Sequence, residues 1–314
     1  MSLMTAMSML APPTTRSRPY RRHYGTGRAL AMAPAICGGM LAMLVLTAGL
    51  GRWAGTALLL WLSGSALVCT RRGERLAVRA GYRFRDLSTQ ERHLLEPVVT
   101  AVLDRCSMAG GRIDWYVQPG SHPNACAAGR RSVAITEGAL RSFLAGRVSQ
   151  RQMQAVLAHE LGHHATHASR YGLATGWLAA PGRLAFRVVL SIAGTLSGGR
   201  RIGSATAVLF AVAGTMAAVQ LVQQRQWVAV TMLLGVAAAL IVTPLVDGAV
   251  SRASEHAADR YAADAGLGTE LAAALRLLHA CVPARRGARL LLARHPGVDS
   301  RLRRLTQQQA PGQV

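Results

Sequence analysis

Residues 159–163 read His-Glu-Leu-Gly-His. On a helix, His159 and His163 stand at i and i+4, one above the other on a single face. Each can then turn an imidazole nitrogen toward one zinc ion, while Glu160 sits beside the ion, placed to take a proton from its water. A catalytic zinc site uses three protein ligands and keeps a position open for water, so two imidazoles leave it one donor short. Carboxylates after residue 138 are few: besides Glu160 they are Asp247, Glu255, Asp259, Asp264, Glu270 and Asp299. Glu255 and Asp259 again stand at i and i+4. One of the two can bind the ion while the other accepts the free N–H of a ligand imidazole and fixes its tautomer. His167 continues the i, i+4 series, but three successive turns of a straight helix cannot converge on one ion. His164 points about 100° away from His163. Both are read as polar-face residues.

The elements that must carry these side chains are legible in outline. A helix starting near Ser149 and ending near Ser169 holds the His-Glu pair. Ser88 followed by Glu91 resembles a capping box, opening a helix to about Ser107 with Pro97 inside it. Residues 112–118 and 132–136 read as short strands joined by a loop, 119–131.

All 36 basic residues are Arg, the net charge is +22, and half the chain is hydrophobic. Such a combination fits apolar residues gathered into membrane spans with the Arg outside them. Residues 29–50 and 53–70 carry no charge, and 203–222 and 227–246 form two more apolar runs, each near the length that crosses a bilayer. Arg flanks both pairs on their outer sides, which puts those flanks in the cytoplasm. Residues 184–196 are apolar but short and carry Arg187, so they are expected to pack on other helices or lie in the interface. The absence of Lys beside abundant Ala and Gly points to a GC-rich bacterial source. Five Cys without a CxxC pair give neither a disulfide framework nor a thiolate zinc site. An Arg-rich nucleic-acid binder is disfavoured, because no aromatic platform or folded reader accompanies the basic residues.

The expected organisation follows from these runs. Residues 1–28 form a disordered Arg-rich cytoplasmic tail, 29–70 a transmembrane hairpin, and 71–182 the first part of a catalytic domain. Residues 183–248 hold a membrane-associated segment and spans three and four. Residues 249–306 complete the catalytic domain, and 307–314 are a disordered tail. The fold class is mainly α, a multi-pass membrane protein of about four transmembrane helices with a cytoplasmic zincin-like α+β catalytic domain assembled from two chain segments.

Four stretches together resemble the HtpX and CAAX-prenyl-protease group of integral-membrane zinc metallopeptidases. They are His159–His163; Ser251-Arg252 with Glu255 and Ala258-Asp259; Asn124–Gly129 leading into 133–136; and His295-Pro296 followed by Arg301 and Leu305. The resemblance implies His159, His163 and Glu255 as ligands of one Zn2+, Glu160 as catalytic base, and Asp259 as the group that orients a ligand imidazole. It further implies Asn124 and Ala125 on an edge segment that aligns substrate backbone by strand addition, and His295 as a hydrogen-bond donor to the developing oxyanion. The implied activity is endoproteolysis of membrane or misfolded proteins in the cell membrane, with both termini and the site in the cytoplasm. His256 stands where the group more often has an aromatic residue, and the connection from Arg170 to Arg201 is unusually apolar. Two other readings stay open: a sensor-type membrane metalloprotease in signal transduction, and a non-catalytic membrane scaffold with a vestigial metal site.

Overall fold

The computed structural model describes residues 24–108, 110–196, 202–279 and 297–309. The two inner strands of its small sheet are the segments with β-branched and aromatic side chains, 114–118 and 132–136, and outside the sheet the regular structure is helical. Strands β1 (Arg85–Asp86), β2 (Asp114–Gln118), β3 (Ala125–Ala128) and β4 (Ser132–Thr136) lie in the order β1-β2-β4-β3. β2 and β4 run parallel, and β1 and β3 pair antiparallel at the two edges. β3 lies inside the stretch expected to be a loop. Ala-Cys-Ala-Ala has neither alternation nor β-branching, so pairing with β4, rather than propensity, makes it a strand.

The turn between β3 and β4 is held from behind by a buried carboxylate. Glu74 accepts hydrogen bonds from Arg130 N (3.0 Å), Arg131 N (2.9 Å) and Ser132 Oγ (2.7 Å). Gly129 sits there at φ +61°, and a Cβ on it would come within 2.6 Å of the Glu74 carboxyl carbon. Only glycine meets both demands.

Helices α1 (Tyr24–Ala31), α2 (Ala33–Ala48), α3 (Ala54–Leu67) and α4 (Arg71–Tyr82) precede the sheet. α1 begins inside the stretch expected to be a disordered tail. Gly25 explains its placement, because its Cα seats on the His167 carbonyl where a side chain would collide at 2.3 Å. Arg28 adds an ion pair with Asp247 at 3.7 Å. α5 (Thr89–Arg105) opens on the expected capping box: Glu91 N donates to Ser88 Oγ at 3.3 Å, and Ser88 N donates to the Glu91 carboxylate at 2.8 Å. α6 (Glu137–Leu144) follows β4, and α7 (Gln150–Ala165) carries the His-Glu pair. α7 has a second capping box, made by Ser149 and Gln152.

α8 (Gly172–Leu196) packs on α2 and α3. The packing is close: a Cβ on Gly39 would meet the Leu178 carbonyl at 1.9 Å, and the Trp177 indole N–H donates to Trp61 O at 2.8 Å. α9 (Ile202–Gln223) leads to α10 (Trp227–Asp264), and α11 (Gly268–His279) and α12 (Val298–Gln309) end the described chain. The expected domain boundary at residue 248 falls inside α10, which runs without interruption from the apolar run through Pro244, Asp247 and Gly248 to Glu255 and Asp259. Among the described residues no single helix is long and apolar enough to cross a membrane. Two bent pairs pass together: α1 with α2, at 47°, and Gly51–Leu67 with α4, at 99°.

One core unites the two halves of the chain. Leu95 and Val98 of α5, Val117 of β2, Ile135 of β4, Leu157 and Leu161 of α7, Leu271 of α11 and Leu305 of α12 are all buried in it. Burying side chains of this size stabilises by roughly 1.5–3 kcal/mol each. The same burial brings the C-terminal half of α10 onto α7.

Candidate active site

The close approach of α7 and α10 is written in small residues. Gly162, between Leu161 and His163, faces Ala258; a Cβ on Gly162 would lie 2.8 Å from Ala258 Cα. With backbones this near, side chains within a turn of the contact meet directly. His159 Nε2 lies 3.5 Å from Glu255 Oε2, and His163 Nε2 lies 3.4 Å from Glu255 Oε1. One donor atom from each residue falls within 4.8 Å of the other two. Glu255, not Asp259, is the carboxylate brought to the pair of imidazoles.

Asp259, one turn further along α10, takes the other side of the ring: His159 Nδ1 lies 3.0 Å from Asp259 Oδ1. That contact directs Nε2 toward His163 and Glu255, the orientation a ligand imidazole needs. Burial and the Arg301 charge push the His159 imidazole down. Hydrogen bonds to Asp259 and Glu255, with the Asp259 charge, outweigh them and hold it up at about 9. A cation is therefore favoured at this ring, and a metal ion would compete with the proton for it. The donor set of two imidazoles and a carboxylate is one that catalytic zinc uses, so the residues fit the metal.

Arg301 of α12 completes the cluster and has no counterpart in the reading of spacing alone. Its Nε donates to Asp259 Oδ2 at 2.9 Å, Nη2 donates to Oδ1, and Nη1 lies 3.4 Å from Glu255 Oε2. Burial works against the charged forms of both partners. At Asp259 the His159 hydrogen bond and the Arg301 charge prevail and hold the carboxyl well below the usual range, while Asp259 and Glu255 hold Arg301 above its ordinary value. The signal was present in the sequence as an Arg five residues after His295-Pro296, but only contact shows what it grips.

Glu160 is buried on α7 beside these groups, and no hydrogen bond among the described residues ties up its carboxylate. β3 packs along α7. Burial, with the Glu160 charge nearby, raises the Cys126 thiol to about 12. Ala125 opens this edge strand and Asn124 immediately precedes it. Asn124 N donates to Thr136 Oγ1 at 2.8 Å and its carbonyl accepts from Thr136 N at 2.9 Å, which anchors the strand's entry while its outer edge stays unpaired in the sheet. His164 turns away to the sheet, 3.2 Å from Ser132 O and 3.3 Å from Ser169 Oγ. Neither His164 nor His167 joins the cluster, as expected. His295 lies outside the described residues.

Residues 90–309 match the sequence family described as Peptidase family M48. The chain belongs to peptidase family M48. The match spans both chain segments that meet at the cluster, from α5 to α12, and M48 membership makes the chain a metallopeptidase homologue. No curated protein matches it. Among solved structures, the crystal structure of S. mikatae Ste24p is similar at 18% identity with a TM-score of 0.48. The likeness covers 88% of this chain and 64% of that one, so the chain spans less than two thirds of its length. The assignment to M48 rests on the sequence match.

Proposed function

We propose that this M48 chain is a membrane-embedded zinc endopeptidase that hydrolyses peptide bonds of membrane or misfolded proteins at a cytoplasm-facing site. One observation carries the reading. The three donor atoms of His159, His163 and Glu255 converge within 4.8 Å, with Asp259 fixing the tautomer from behind. A zinc ion held there would supply Lewis acidity, polarising a peptide carbonyl and bringing a water to a pKa of roughly 7.

The remaining work falls to the chain's own residues. Glu160 accepts the proton of the attacking water and passes it to the amine nitrogen as the C–N bond breaks, leaving a carboxylate and a free amine. The outer edge of β3, from Asn124 and Ala125 onward, aligns an extended substrate by backbone hydrogen bonds. His295 is assigned the oxyanion by resemblance.

The membrane location is supported by apolar side chains left uncovered. Leu44, Val45 and Leu46 of α2 and Leu59 and Leu60 of α3 are half or more exposed, as are Met216 of α9 and Leu234 of α10. Patches of this kind are costly in water and ordinary in lipid. Purified protein should contain about one zinc per chain and cleave a casein-like substrate, with cleavage lost on chelation and restored by zinc. Protein that binds no zinc, or cleaves equally well after chelation, would overturn the reading.

A further inference from the structure

A second concave site lies at the C-terminal end of α7, bordered by His164 and His167, which take no part in the His-His-Glu cluster. The cavity, of about 240 Å³, is lined by Arg112, Arg130, Arg131, His164, His167 and Arg170. In a chain with 36 Arg and 14 acids, unpaired Arg are common on the surface. This group differs in lining a concave space: four Arg border one cavity, and no carboxylate is among the described residues that line it. The buried Nε of Arg170 has no hydrogen-bond partner. Glu74, behind Gly129, spends its oxygens on the backbone N–H groups of Arg130 and Arg131 and on Ser132, so it fixes the turn that presents the two Arg.

We propose that this cavity binds a phosphate-type anion, with the headgroup of an anionic lipid as its favoured source. Guanidinium forks match phosphate oxygens in pairs, and several converging on a concave wall raise the local potential well above that of scattered charges. One residue of its wall, His167, touches α1 through its backbone, because Gly25 seats on the His167 carbonyl. α1 and α2 form one of the two bent pairs able to cross a bilayer, which places the Arg cluster at headgroup depth. This placement rests on the membrane reading above; the anion site itself does not.

The test uses the full chain in a neutral detergent and calorimetric titration with three probes: short-chain phosphatidylglycerol, short-chain phosphatidylcholine and inorganic phosphate. Saturable binding of phosphatidylglycerol is expected, with phosphatidylcholine at least about tenfold weaker. An R130Q/R131Q/R170Q variant should lose about tenfold or more. R83Q/R92Q/R105Q, which removes the same charge from exposed positions elsewhere, should stay within about twofold. The single exposed change R130Q keeps the comparison usable if the triple variant melts early. Binding of inorganic phosphate alone, lost in the cavity variant, would support the site and assign it a soluble phosphate. Equal losses in the two triple variants, or no saturable binding of either anion, would overturn the proposal. Neither zinc nor cleavage enters the readout, so failure here leaves the peptidase reading intact.

Discussion

Glu160 and Glu255 carry the same carboxyl group into different roles, and replacing each should separate them. Glu160 stands beside the three donors without being one, so Glu160→Gln should keep zinc while cleavage falls by about 10²–10⁴-fold, measured as metal content beside turnover. Glu255→Gln should lose the metal first, with cleavage following. Arg301 offers a third contrast. It is buried against Asp259 and Glu255, so Arg301→Ala strands two carboxylates and should destabilise by about 3–5 kcal/mol, read from denaturant unfolding. Arg301→Lys keeps the charge but not the paired geometry and should recover only part of that loss. If Arg301→Ala unfolded like the parent, the clamp on Asp259 would carry no weight. The His-Glu pair was visible as spacing. The choice between Glu255 and Asp259 needed the resemblance and then the contacts, because either satisfies i, i+4.

At the scale of elements, the site depends on how near α7 comes to α10. Gly162→Ala would gain up to about 1 kcal/mol in helix propensity, but its Cβ would sit 2.8 Å from Ala258 Cα, and overpacking costs about 1–3 kcal/mol. A lower melting temperature together with weaker zinc binding is expected. A variant more stable than the parent would show that the helices can part freely. The entry to α5 gives a pH signature. Arg85, in a bidentate pair with Glu91, leads the causes that hold the Glu91 carboxyl down at about 2, and the capping hydrogen bonds add to it against the cost of burial. A lowered folded-state value means this stabilisation is complete above the unfolded value, near pH 4.5, and drains as the pH falls toward 2. Stability should therefore decline across that window, and Glu91→Gln should flatten the decline in thermal melts. The capping boxes at Ser88 and Ser149 and strand β4 follow from local patterning, so their starts were legible. β3 and the uninterrupted α10 were not, since one depends on a pairing partner and the other runs across a change from apolar to polar composition.

For the molecule as a whole, the proposed cytoplasmic site under a membrane domain can be tested in lipid. Reconstituted in sealed vesicles, protein with its site outward should cleave added substrate without detergent, and a label on Cys37 within α2 should be shielded by lipid. Free reaction of Cys37 with a polar reagent would count against the span. The amino-acid sequence alone determined the chemistry available: two imidazoles one turn apart, a neighbouring base, a short inventory of carboxylates, and capping signals that are local by nature. Only the tertiary structure decided that Glu255 meets the imidazoles, that Asp259 stands behind His159, and that Arg301 from the last described helix locks both. Those contacts join residues far apart in the chain, and the distance between them is set by Gly162 against Ala258 and by the shared core of α5, α7, α11 and α12. Spacing along one helix encodes a face; packing between helices encodes what that face touches.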